Sequence, residues 1–170
     1  MSHSRSGLAG LPRERPVVTL LLVVVLVELV GASGSVFTAQ GLVEWYSTLE
    51  RPALAPPNWV FAPVWTTLFA LIGGAVWLIW RRAETRPRRV KTALAVFAVH
   101  FAVNLAWSAV FFGQQAIASG LAVILLLLAL ILATMTVFAR VDRRAALLLV
   151  PYLVWVSFAT YLNYQFWVLN

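Results

Sequence analysis

The sequence has no cysteine, which excludes disulfides and thiolate metal sites and leaves redox compartment unreadable from this residue. It is also poor in charge, with 11% Asp, Glu, Lys and Arg against 62% hydrophobic residues over 170 positions. A water-soluble domain with so few charges would expose large apolar patches, so a membrane is the natural solvent. Lys91 is the only lysine and falls between apolar runs, which excludes a Schiff base buried in the bilayer. Of the two histidines only His100 falls within an apolar run, and one buried histidine cannot make a zinc site or a bis-histidine haem, so no metal centre is expected. No Gly-rich phosphate loop and no Ser/His/carboxylate set stands out. The formal charge of +7 is gathered in short segments between apolar runs, a topological pattern and not a nucleic-acid-binding face.

Apolar runs of about 20 residues, enough to cross a bilayer core as helix, occur five times. They are predicted at about 17–37, 60–80, 92–113, 116–139 and 145–168, behind a basic tail over 1–16. The fold class expected is therefore an all-α integral membrane protein, a five-transmembrane-helix bundle over 17–170. Positive charge segregates accordingly. Three arginines lie in the tail (Arg5, Arg13, Arg15), six basic residues in the second loop and three in the fourth, leaving only Arg51 of 13 elsewhere. By the positive-inside rule the N-terminus is cytoplasmic and the C-terminus outside. A prokaryotic plasma membrane suits this pattern, with the mitochondrial outer membrane as the eukaryotic alternative. A cleaved signal peptide ending near Val30-Gly31-Ala32 is the competing reading. Against it, the apolar run carries Glu28 and continues through Val36 and Phe37.

The first loop, from about Thr38 to Trp59, is rich in proline and aromatic residues. It is expected to be stiff and not continuously helical, as a lid or as a plain connector. Two ionisable groups fall within the spans, Glu28 and His100. Glu28 is expected to face another helix as a protonated or hydrogen-bonded carboxyl, with a proton-relay role as the alternative. On the third span His100, Asn104, Trp107, Ser108 and Phe111 share one face. On the fifth, Tyr152, Trp155, Ala159, Leu162, Asn163 and Phe166 do the same. The orientation brings these faces level with Trp59 and Trp65 under the first loop. Both helix packing and a pocket for a large, flat, mostly apolar ligand fit that pattern. Trp45, Trp77, Trp80 and Trp167 lie near span ends and read as interfacial-belt residues. Gly31, Gly34, Ser35, Gly73 and Gly74 give small surfaces for packing within the bundle or in a homodimer.

Four stretches in order resemble the TspO/MBR family of tryptophan-rich sensory and translocator proteins. These are Gly41 to Tyr46 (GLVEWY), Pro52 to Trp65 (PALAPPNWVFAPVW), Asn104 to Trp107 with Phe111 to Gly113, and Pro151 to Asn163 (PYLVWVSFATYLN). The resemblance implies a five-helix bundle, often homodimeric, that binds a porphyrin such as protoporphyrin IX or haem, with no obligatory cofactor. It implies ligand contacts at Trp59, Asn104, Trp107, Trp155, Ala159 and Leu162. It extends to light-dependent porphyrin breakdown, for which Trp59 and Trp155 are the candidate catalytic residues, and to transport of flat hydrophobic ligands. No residue pattern independently indicates catalysis. Two departures stand out: His100 occupies a position commonly glutamine in the family, and Tyr164 lacks the following basic residue of the sterol-recognition pattern.

Overall fold

The computed structural model describes residues 7–170, without the side chains of Gln40 and Leu42 to Glu44. Arg5 of the basic tail and the Glu44 side chain of the GLVEWY stretch therefore lie outside the described residues. Eight α-helices run in order: α1 (Leu11–Glu14), α2 (Pro16–Ser33), α3 (Ser35–Glu44), α4 (Phe61–Trp80), α5 (Pro87–Ser108), α6 (Ile117–Ala139), α7 (Arg143–Leu148) and α8 (Val150–Leu169). They build five spans, Pro16–Ala39, Asn58–Trp80, Pro87–Gly113, Ile117–Ala139 and Arg143–Leu169. At 1.5 Å per residue, a 23-residue span such as Ile117–Ala139 reaches about 35 Å, enough for a hydrocarbon core. The protein is a multi-pass membrane protein.

Local chemistry sets where the helices begin and break. Pro16 and Pro87 start α2 and α5, positions where a missing N–H costs nothing. The first span kinks at Gly34, then continues as α3 beyond the apolar run to Glu44, well into the segment expected to be loop. The third span ends in a π-helical turn over Ala109–Gly113, and Gln115 takes a left-handed backbone (φ 55°) to turn the chain into α6. The fifth is divided at Leu149, just before Pro151.

Helix α2 shows why this is a membrane bundle. Its buried residues Thr19, Val23, Val27 and Gly31 form one stripe, while Val17, Val18, Leu21, Leu22, Val25 and Leu26 are exposed although apolar. Such a helix has no polar face for water. The stripe meets α4 so closely that a Cβ on Gly73 would stand 2.7 Å from Val24 Cα. Helix α4 packs on to α7, α6 packs on α5, α7 and α8, and the centre is filled by Ile72, Ile79, Ile124, Ile131, Phe138 and Tyr152.

The two ends of the bundle are pinned differently. At the basic end Arg82 bonds the Asp142 carboxylate at 2.9 Å, and Asp142 accepts the Arg144 N–H at 3.0 Å to cap α7. Partial burial pushes the Asp142 carboxyl up, but these bonds and the positive charges of Arg82 and Arg144 outweigh it and hold it below its usual range. Arg86 donates to the Arg140 and Val141 carbonyls, satisfying the end of α6. At the other end, the Asn170 amide pairs with the backbone N–H and carbonyl of Glu50 at 2.8 and 3.1 Å. Arg51 lies over the Tyr46 ring at 5.5 Å and donates to Pro56 O and Asn58 Oδ1. Burial pushes the Tyr46 hydroxyl up, and the Arg51 charge partly offsets it. The proline-rich loop is thus tied both to itself and to the end of α8.

Candidate membrane cavity

The polar faces of α5 and α8 meet and bond each other. Asn104 Nδ2 donates to the Tyr152 hydroxyl at 3.0 Å, the same hydroxyl lies 3.1 Å from His100 Nε2, and His100 Nδ1 lies 3.3 Å from Thr134 Oγ1 of α6. One turn further toward the loop, Trp107 Nε1 donates to Asn163 Oδ1 at 3.2 Å, and Asn163 Nδ2 donates to Ile117 O. Six polar side chains in an apolar medium are thereby linked by hydrogen bonds across three helices, as burial there requires. The Gly120 position has no room for a side chain, since a Cβ would stand 2.9 Å from the Phe111 ring and 3.2 Å from Asn163 Oδ1.

Beside this seam, between α2, α3, α4 and α5, lies a cavity of about 330 Å³. Its aromatic wall is Phe61, Trp65, Phe69, Trp107 and Phe112. Its polar groups include Glu28, Asn58, Thr66, Asn104 and Ser108, and its small-residue side is Gly31, Ala32, Gly34 and Ser35. The wall is rigid for a physical reason: Trp65 stacks near Phe69 (5.3 Å between centroids), and Trp107 stacks on Phe111 (5.5 Å, 21°). Gly31 is required opposite it, because a Cβ there would run into the Phe69 ring.

The residues expected at the site separate into groups. Trp65, Asn104 and Trp107 line the cavity. His100 and Asn163 are buried in the seam behind it, and Leu162 is buried on the same helix as Asn163. Trp155 packs edge-on to the lining residue Phe61 at 5.9 Å, and Ala159 is half-buried on the same helix. Trp59 is 73% exposed and does not line the cavity. Glu28 is half-buried and borders the cavity with no hydrogen-bond partner among the described residues, rather than bonding a neighbouring helix. Among the described residues one buried side-chain N or O atom lacks a partner, the Trp155 indole nitrogen. Asn58, Phe61 and Phe69 were not singled out as site residues. The small-residue spacing around Gly31, Gly34 and Ser35 was legible as a packing surface and is in fact also a cavity wall. No group of three or more His, Asp and Glu residues able to hold a metal occurs among the described residues.

The span-end tryptophans are likewise individual. Trp77 donates to Thr19 Oγ1 at 3.1 Å and carries the Arg81 guanidinium over its ring, whereas Trp167 is 52% exposed. Trp45 packs edge-on against Phe111.

This chain is similar to proteins from bacteria and animals. It is 44% identical over 161 residues to the tryptophan-rich protein TspO of Chlorobaculum tepidum, covering 92% of this chain and 99% of that one. It is 38% identical over 127 residues to the tryptophan-rich sensory protein of Cereibacter sphaeroides, covering 75% and 77%. It is 34% identical over 137 residues to the translocator protein of Bos taurus, covering 81% of each. The TspO/MBR family pattern matches residues 23–168, so with its five spans and its ordered motifs the chain belongs to the TspO/MBR family.

Proposed function

We propose that this protein is a membrane receptor that binds a porphyrin, or a similarly large, flat, apolar ligand, in the cavity beneath the first loop, and so senses or moves tetrapyrroles. The observation that carries this reading is the cavity itself. It is a preformed space of about 330 Å³ with five aromatic rings on its wall and a few amides and hydroxyls, the composition of small-molecule sites and not of ion sites. The tetrapyrrole class comes from the family resemblance, and the sensory and translocator names of the relatives agree with a binding role. In this reading the loop end faces outward and the arginine-rich end is cytoplasmic.

Titration of the purified protein with protoporphyrin IX tests it, followed by tryptophan fluorescence and by the porphyrin absorption band. Saturable binding is expected, weakened by Trp107→Ala and by Asn104→Ala. Titration without saturation contradicts the reading.

A further inference from the structure

The hydrogen-bond seam behind the cavity has a direction. Thr134 donates its hydroxyl proton to Leu130 O at 2.8 Å, so toward His100 it offers lone pairs, and His100 Nδ1 must carry the proton between them. His100 Nε2 is then an acceptor, and the Tyr152 hydroxyl donates to it. That leaves the Tyr152 oxygen to accept from Asn104 Nδ2, the arrangement observed at 3.0 Å. The opposite tautomer would set lone pair against lone pair at Thr134 and would also require Asn104 to turn over. The anchoring bond in α6 therefore fixes an amide three residues away in the chain of contacts.

The consequence lies at the cavity. Among the described residues no donor reaches the Asn104 carbonyl oxygen, and it is not one of their sealed, partnerless atoms, where only Trp155 Nε1 stands. Asn104 lines the cavity, and with its amide N–H spent on Tyr152 its oxygen is the group it has to offer a ligand there. The neighbouring indole N–H of Trp107 is withheld, since it is bonded to Asn163. Ser35 and Thr38 donate their protons to the Ala32 and Gly34 carbonyls of the same span and offer the cavity only lone pairs. The Thr66 and Ser108 hydroxyls, unpartnered among the described residues, can donate or accept as a ligand requires, so the group whose polarity the seam fixes is the Asn104 oxygen. At the mouth the polarity reverses. Asn58 Oδ1 is held by Arg51, leaving the Asn58 amide N–H groups for a ligand.

We infer that the Thr134–His100–Tyr152–Asn104 relay fixes Asn104 as a hydrogen-bond acceptor on the cavity floor, so that a ligand is held there through an O–H or N–H donor and turns its carboxylates to the mouth. His100 and Tyr152 act as positioning residues, through Asn104, without touching the ligand. The inference rests on the porphyrin-binding reading above and adds an orientation and a specificity to it.

Haematoporphyrin and its diether, in which both hydroxyethyl groups are O-methylated, test this directly, because they differ in donor capacity at the ring edge opposite the propionates. The native protein is expected to bind haematoporphyrin about tenfold more tightly than the diether, the scale of one buried hydrogen bond. Tyr152→Phe preserves cavity volume but frees the Asn104 amide, so the preference should fall toward unity; a preference due only to the bulk of the methyl groups would persist. His100→Gln can accept from Tyr152 through its carbonyl and should retain the preference, whereas His100→Leu should lose it, with thermal unfolding confirming that each variant is folded. Equal affinity for both ligands in the native protein, with protoporphyrin IX still bound, overturns the inference and spares the porphyrin reading. A preference indifferent to Tyr152→Phe and His100→Leu overturns the relay. Failure of every porphyrin to bind overturns both.

Discussion

The two flanks of α5 solve the same problem in opposite ways. Toward α6 and α8 its polar residues are closed into a bonded seam, in which His100 and Tyr152 are fully buried and bonded to each other, to Asn104 and to Thr134. Toward α2 and α4 the polar residues border an open cavity, and Glu28, Thr66 and Ser108 have no protein partner among the described residues. An unpaired polar group in hydrocarbon is costly, so a flank that keeps several of them is arranged around something other than the protein itself. The seam holds the helices in register, and the open flank is where the proposed ligand has groups to meet.

Several measurements break or sharpen that contrast. The largest effect is expected where the open flank still requires contact. Gly73→Val would drive a side chain into the backbone of α2 at Val24, and backbone has little freedom to yield, so a loss of about 2–3 kcal/mol is expected in thermal or denaturant unfolding in detergent. Next comes the seam. Tyr152→Phe leaves His100 Nε2 and Asn104 Nδ2 without their partner and should cost about 1–2 kcal/mol, while Ser108→Ala on the open flank should change stability little. An equal cost for the two would erase the distinction between the flanks.

A smaller effect belongs to the basic end. Asp142→Asn removes a charged cap and the Arg82 pair, a loss of about 1 kcal/mol. Because the folded Asp142 carboxyl lies below its usual range, its contribution is complete above the unfolded value and disappears as pH falls through the folded one. The native protein and the variant should therefore converge in stability under acid and diverge at neutral pH. The smallest change in stability is expected for Trp59→Ala, within about 0.5 kcal/mol, since the ring is 73% exposed. If the ring folds over a bound ligand, porphyrin affinity should nevertheless drop about threefold to tenfold, the value of an aromatic contact.

Much of this was legible in the sequence because membrane helices obey simple rules. Length, apolarity and the spacing of arginines gave five spans, and the three- and four-residue spacing of His100, Asn104 and Trp107 put them on one face. What spacing cannot give is the partner. That Asn104 and His100 would share the Tyr152 hydroxyl, and that Thr134 would orient the whole set, depends on how α5, α6 and α8 pack in three dimensions. The position of the cavity was hidden for a different reason. Helix α2 is apolar on all sides, so no periodic polar face marks the wall formed by Gly31, Gly34 and Ser35. The extension of the first span through α3 was missed because its hydropathy falls after Phe37 while its helix continues. The resemblance to the family drew attention to Trp59 and Trp155, neither of which lines the cavity in this structure.

The central claim is that the open flank is a ligand site, and filling it is the most direct test. Ser35→Phe places an aromatic side chain on the small-residue wall without touching the bonded seam. Protoporphyrin IX titration of this variant should show saturable binding abolished or weakened more than tenfold, with thermal stability retained. Unchanged affinity in a folded Ser35→Phe protein would contradict the account and put the porphyrin elsewhere on the molecule.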